Sequence, residues 1–94
     1  MAKVLLKNNF KILQLTRKEY IACTDDFGTC HLCGDECQLD ETMYYLPILD
    51  IVYCSRCFAL WLVSAKHYKV DEKIEEKNLE KLTNKLKDMG VLEQ

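Results

Sequence analysis

Cys30-His31-Leu32-Cys33-Gly34-Asp35 and, after a 20-residue interval between the ligand pairs, Tyr53-Cys54-Ser55-Arg56-Cys57-Phe58 are the stretches whose reading decides the fold. Each Cys-x-x-Cys pair can wrap two sulfurs around one tetrahedral centre while the chain between them returns the second pair to the first. Thiolates are soft ligands, and four of them close a tetrahedral shell. Cys30, Cys33, Cys54 and Cys57 are therefore expected to hold one structural Zn²⁺, with no position left for substrate or water. Gly34 follows the first pair, where a tight knuckle turns backbone N–H groups toward sulfur and favours positive φ. The second pair lacks such a glycine and runs straight into an apolar segment.

Working outward, Thr42–Leu46 and Leu49–Tyr53 are β-branched or aromatic and flank Pro47, which predicts a short antiparallel hairpin. Phe58 to Tyr68 reads as a helix with Phe58, Trp61, Leu62, Ala65 and Tyr68 on one face. Leu60 and Val63 point the other way, so this helix is expected to be sandwiched, with the N-terminal segment covering them. In that segment Val4-Leu5-Leu6 and Phe10–Leu15 are separated by Lys7-Asn8-Asn9, a hairpin pattern with an Asn-Asn turn. Thr16-Arg17-Lys18-Glu19 fits a capping box opening a short helix to about Cys23. Asp25-Asp26-Phe27-Gly28 is a turn signal. Asp71 is placed to cap a last helix running to Met89, ended by Gly90, with Leu79, Leu82, Leu86 and Met89 as its stripe. Lys69, Lys73, Lys77, Lys81 and Lys85 mark the solvated face.

The chain has 94 residues, 49% of them hydrophobic, with one Pro and three Gly. That length supports one core, and the composition excludes disordered and fibrous classes. We expect a single domain over 1–94, divided into an N-terminal strand and helix extension (1–24), a zinc-binding unit (25–68) and a C-terminal amphipathic helix (71–90). Charge is segregated along the chain: +4 over residues 1–23, −6 over 24–57 and neutral over 58–94, giving −2 in all. No overall positive field exists to gather nucleic acid or an anionic membrane. The N-terminus lacks the apolar core of a signal peptide, and the run Phe58 to Val63 is too short to span a bilayer. A cytoplasmic location is expected, where clustered cysteines serve metals more often than disulfides.

A knuckle, a hairpin and a second ligand pair in the first turn of a helix together resemble the treble-clef zinc-finger group. The resemblance covers Cys30 to Tyr68 and implies a small, zinc-stabilised α+β fold. Within that group the spacing of the two Cys-x-x-Cys pairs is similar to the GATA-like fingers, which read DNA with their helix and a basic tail. Here the linker is acidic and the tail neutral. The chain also looks like small two-CxxC proteins of bacteria and their phages, the likeness resting on Tyr45, Pro47, Tyr53 and Trp61.

Other reactive side chains have plainer readings. Cys23 and Cys37 are expected to be free thiols. The order Cys30-Cys33-Cys37 lacks the fourth nearby cysteine of an iron-sulfur run. His31 is expected to turn its ring to solvent from within the knuckle, and His67 to sit near a helix C-terminus, favoured there by the dipole. Asp35, Glu36, Asp40, Glu41 and Asp50 lack EF-hand spacing and read as a solvated acidic face. These features predict a non-enzymatic module in which zinc fixes a platform and Tyr44, Tyr45, Leu60 or Val63 meets a basic surface on a protein partner, as a small bacterial or phage regulator or inhibitor would. No small-molecule substrate and no membrane are expected. One alternative is nucleic-acid binding through the basic N-terminal segment, and another is a thiol-redox or metal-transfer protein. The stripe on the last helix is too short for a confident coiled coil, so a monomer or weak homodimer is expected.

Overall fold

Asn8 and Asn9 take φ values of 50° and 72°, the left-handed pair that a two-residue hairpin turn requires and that asparagine tolerates. They join β1 (Lys3–Lys7) to β2 (Phe10–Thr16) in the register Lys7↔Phe10 to Lys3↔Gln14. Thr16 then closes the expected capping box: its hydroxyl accepts from Glu19 N–H, and the Glu19 carboxylate accepts from Thr16 N–H. This starts α1 (Arg17–Cys23). The computed structural model describes residues 1–24 and 26–93; the Asp25 end of the expected turn lies outside them.

β3 (Thr42–Leu46) and β4 (Ile51–Cys54) form the second hairpin, with β4 starting two residues later than the sequence predicted. The displacement comes from the loop, where Leu49 and Asp50 N–H both donate to Leu46 C=O and Asp50 takes φ 54°. The sequence did not announce that β2 pairs with β3. One four-stranded antiparallel sheet of order β1-β2-β3-β4 therefore runs through both hairpins, and the N-terminal segment is an integral half of that sheet.

Strand alternation sends Phe10 and Tyr44 to one face and Leu13 and Tyr45 to the other. On the first face lies α2 (Ser55–Ser64): Phe58 stacks on Tyr44 at 4.3 Å and Trp61 meets Phe10 at 4.7 Å. On the second face lie α1 and α3 (Glu72–Asp88), which bury Tyr20, Cys23, Leu82 and Leu86. Tyr45 is in this core at 1% exposure, not on the surface as its pattern suggested, because its hydroxyl is satisfied by the Asp50 carboxylate. Asp50 stays exposed, as expected of the acidic face, and in addition accepts the hydroxyl of this core residue.

Helix limits also differ from the sequence reading. α2 spans Ser55–Ser64 because Cys54 is its extended N-cap and Ala65 its extended C-cap; Tyr68 lies beyond it and is exposed. Among the described residues nothing covers the outer side of α2, where Leu60 is 64% and Val63 86% exposed. The N-terminal segment is occupied in the sheet and does not reach them. α3 follows a 3-10 turn (Lys69–Asp71), and Asp71 makes no side-chain cap bond. Gly90, at φ 72°, ends α3 with Gly90 N–H on Lys87 C=O and Val91 N–H on Leu86 C=O, the two bonds of a Schellman motif. Met89 is exposed, so the buried stripe is Leu82 and Leu86 with Leu79 at its margin and, unexpectedly, Glu75. Among the described residues, no helix is long and apolar enough to cross a membrane.

Candidate metal centre

The knuckle forms because residues 31–33 turn tightly, with Gly34 N–H donating to Cys30 C=O (2.9 Å) and Cys30 N–H to Asp35 C=O (3.2 Å). Gly34 takes φ 76°, as its place after the first pair predicted. The second pair sits at the β4–α2 junction, Cys54 ending the strand and Cys57 in the first turn of the helix. The hairpin lays this junction beside the knuckle. Cys30, Cys33, Cys54 and Cys57 then place their Sγ atoms within 4.8 Å of one another.

Four cysteines are thus placed to hold a metal ion, and the geometry fits the donor set. A metal–sulfur distance of about 2.3 Å in tetrahedral geometry separates sulfurs by about 3.8 Å. Cys33 and Cys54 Sγ are 3.8 Å apart. Cys30, Cys54 and Cys57 are buried and Cys33 is exposed, so the site lies just under the surface.

The electrostatics also call for a cation. Burial opposes ionisation of Cys30, yet the backbone N–H groups of Cys33, Cys54 and Leu32 point at its sulfur and bring its pKa down to about 6. Once one thiolate exists, its neighbours are penalised: Cys57 is pushed up to about 12, first by burial and then by Cys54, Cys33 and Cys30. Cys33 accepts the Asp35 N–H, which lowers it, but partial desolvation of its sulfur within the cluster and the adjacent Cys30 and Cys54 sulfurs leave it raised. A bound dication reverses these penalties and allows all four to ionise.

His31 does more than face solvent. Its N–H donates to Val52 C=O at 3.0 Å, and its ring Nδ1 accepts Val52 N–H at 3.3 Å. Both outward backbone groups of Val52 are thereby satisfied on the free side of β4. With Cys54 N–H directed at Cys30 sulfur, the knuckle closes this edge of the sheet.

Cys23 and Cys37 are buried thiols outside the cluster. Cys37 lies beside it, its pKa raised to about 11 by burial and by the Glu41 carboxylate that its thiol faces. With Asp35, Glu36, Glu41, Cys54, Ser55 and Arg56 it lines a cleft of about 390 Å³. His67 is not at a helix C-terminus. Its side chain enters the core, with Nε2 3.4 Å from both Glu75 oxygens and its ring edge-on to Phe10. Glu75, 2% exposed, also accepts Lys11 N–H.

Two residues important to the site's surroundings escaped the sequence reading. Arg17 donates Nη1 to Cys37 C=O (2.8 Å) and Nη2 to Phe27 C=O (3.0 Å), fastening both ends of the loop that carries the knuckle. No local pattern marks such a role. Glu75, by contrast, stands four residues before Leu79 and seven before Leu82, and that spacing places it on the apolar stripe. Compared with known proteins, the chain matches no protein-family model, no curated protein and no solved structure.

Proposed function

We propose that the chain is a non-enzymatic interaction module: one structural Zn²⁺ on Cys30, Cys33, Cys54 and Cys57 fixes a treble-clef-like knuckle, hairpin and helix, and the surface beside that site meets a basic face of a protein partner. The observation that carries this reading is the continuity of an exposed stripe next to a closed ligand set. Four protein ligands fill a tetrahedral shell and leave architecture as the ion's task. Immediately outside, Asp35, Glu36, Asp40 and Glu41 are exposed, and Asp35 pairs with Arg56 at 3.7 Å. Arg56, Leu60 and Val63 follow one another at i, i+4 and i+7 along the outer side of α2. An apolar anchor beside acidic groups fits a partner that is basic and partly apolar, the charges governing encounter more than affinity.

Nucleic-acid binding through the N-terminal basic residues draws less support. Arg17 is spent on backbone carbonyls, and Lys11 pairs with Glu76 at 3.4 Å. Lys3, Lys7 and Lys18 remain as an interrupted set without an aromatic stacking surface.

The test is affinity capture from a cytosolic lysate by the wild-type chain and by Leu60→Asp/Val63→Asp. One bound zinc per chain is expected in both proteins, with proteins captured by the wild type and lost with the variant. Identical capture by both, or retention on DNA at about 0.15 M salt, would overturn the reading.

A further inference from the structure

Where α2 ends, a groove of about 310 Å³ lies between that helix, the β3–β4 loop and the start of α3. Ile48, Leu49 and Ala65 give it aliphatic walls, and Trp61, Tyr68 and Asp71 complete it. Trp61 packs on buried Phe10 at 4.7 Å yet stays partly exposed, and Tyr68 is 60% exposed. Two aromatic rings, an aliphatic wall and one carboxylate thus border a single concavity, the mix of surfaces that seats a long side chain with a polar end.

The charge of that end follows from what surrounds it. Asp71 is only half-exposed, and among the described residues its carboxylate makes neither a capping bond nor an ion pair. A carboxylate partly withdrawn from water and left without a partner gains more from a cation than an exposed one does. The negative pole of the α2 dipole falls at Ser64, with no basic residue in the last turn to answer it. The positive pole of α3 is also near, but Glu72 and Glu75 stand in its first turn. The faces of the two rings add negative potential of their own. Against these stands Lys66, the one cation in the lining among the described residues. Lys66 is exposed and within ion-pair distance of no carboxylate among those residues, so its head stays hydrated while Asp71 remains unanswered.

We propose that this groove receives an arginine side chain of another protein, its stem along Ile48, Leu49 and Ala65 and its guanidinium on the Trp61 and Tyr68 rings, paired with Asp71. Arginine fits better than lysine because its planar, weakly hydrated head stacks on a ring and pairs with a carboxylate at the same time. The lining includes no residue of the acidic loop and neither Leu60 nor Val63. Recognition here does not depend on the role proposed for those surfaces, and the two can fail separately.

Trp61 is the only tryptophan, so its emission reports on the groove directly. The probe is a blocked peptide Ala-Leu-Arg-Leu-Ala titrated into the zinc-loaded chain, beside analogues with citrulline, lysine or norleucine in place of arginine. Saturable change in Trp61 fluorescence and in its indole N–H resonance is expected with the arginine peptide, weakened by salt. Citrulline, which keeps the shape and loses the charge, should bind about tenfold more weakly, the equivalent of one charge-assisted bond; lysine and norleucine should also bind more weakly. Asp71→Asn should erase the preference for arginine over citrulline, and Tyr68→Leu should weaken binding severalfold. Both change side chains outside the buried core, so bound zinc and helical circular dichroism should stay as in the wild type. Lys66→Gln should tighten binding by removing a like charge. Equal binding of any analogue, no saturation at millimolar peptide, a full preference for arginine retained in Asp71→Asn, or weaker binding by Lys66→Gln would overturn the proposal.

Discussion

Replacing Gly28 with alanine puts a Cβ 2.9 Å from Arg17 Cγ and 3.2 Å from Ile21 Cγ1, at a residue whose φ is 72°. Gly90 has the same φ, but an added Cβ there meets nothing within 4 Å. The pair separates backbone conformation from crowding. A left-handed alanine costs about 1–2 kcal/mol, and the stiffer unfolded chain offsets about 0.4–1 of that, so Gly90→Ala should cost about 1 kcal/mol. At Gly28 the Arg17 stem must also move, and its guanidinium is held by Phe27 and Cys37 carbonyls. Loss of one such charged hydrogen bond adds about 1.5–3 kcal/mol, giving a total near 3 kcal/mol. Urea unfolding with saturating zinc measures both variants, with shifts in midpoint at constant slope. In an Arg17→Ala background the Gly28→Ala cost should fall toward about 1 kcal/mol, because the Arg17 stem and its carbonyl bonds are gone and only the 3.2 Å approach to Ile21 Cγ1 remains. Equal costs for Gly28→Ala and Gly90→Ala in the presence of Arg17 would refute the reasoning.

Removing zinc with a strong chelator should unfold residues 28–68, since a structural zinc supplies on the order of 10 kcal/mol, comparable with the whole stability of a small domain; Cys33→Ser and Cys57→Ser should behave likewise, and an unchanged circular dichroism spectrum would count against this. Glu75→Ala should destabilise by about 3 kcal/mol in denaturant titration, because it strands buried His67 and the Lys11 N–H; a loss under about 1 kcal/mol would show that the buried pair is dispensable. Tyr20 and Tyr45 have pKa values raised from 10.0, by burial first and then by Asp26 and Asp50 respectively. Their contribution is fully present below pH 10 and is lost as pH rises above it toward their folded pKa values, because the unfolded chain releases these protons first. Alkaline unfolding followed by tyrosinate absorbance should show tyrosine ionisation only with unfolding, and Tyr45→Phe should flatten the stability decline; early ionisation in the folded state would contradict it.

The clustered cysteine pairs and local turns were legible because each depends on a few neighbouring residues. The Cys-x-x-Cys spacing, the Asn8-Asn9 turn, the Thr16 capping box and Gly90 are of this kind. What escaped depended on tertiary placement. The joining of β2 to β3 gathers residues some thirty apart in sequence, and nothing in either hairpin names its partner. Tyr45 was misplaced because a buried hydroxyl needs a partner, and Asp50 is delivered only by the loop conformation. His67 was expected near a helix C-terminus, and Glu75 was not singled out, since charge argues for exposure. Each is tolerated inside because the other is there, and Glu75 also receives the Lys11 amide.

Closure of the β4 edge by His31 and Cys30 limits what assemblies this chain can form. Head-to-tail stacking, with the first strand of one molecule on the last strand of the next, needs two receptive margins per copy, and here one is sealed by the knuckle. Polymerisation into a ribbon is interrupted at every molecule, whatever occupies the other margin. The metal loop therefore also serves as a chain terminator that keeps the sheet finite.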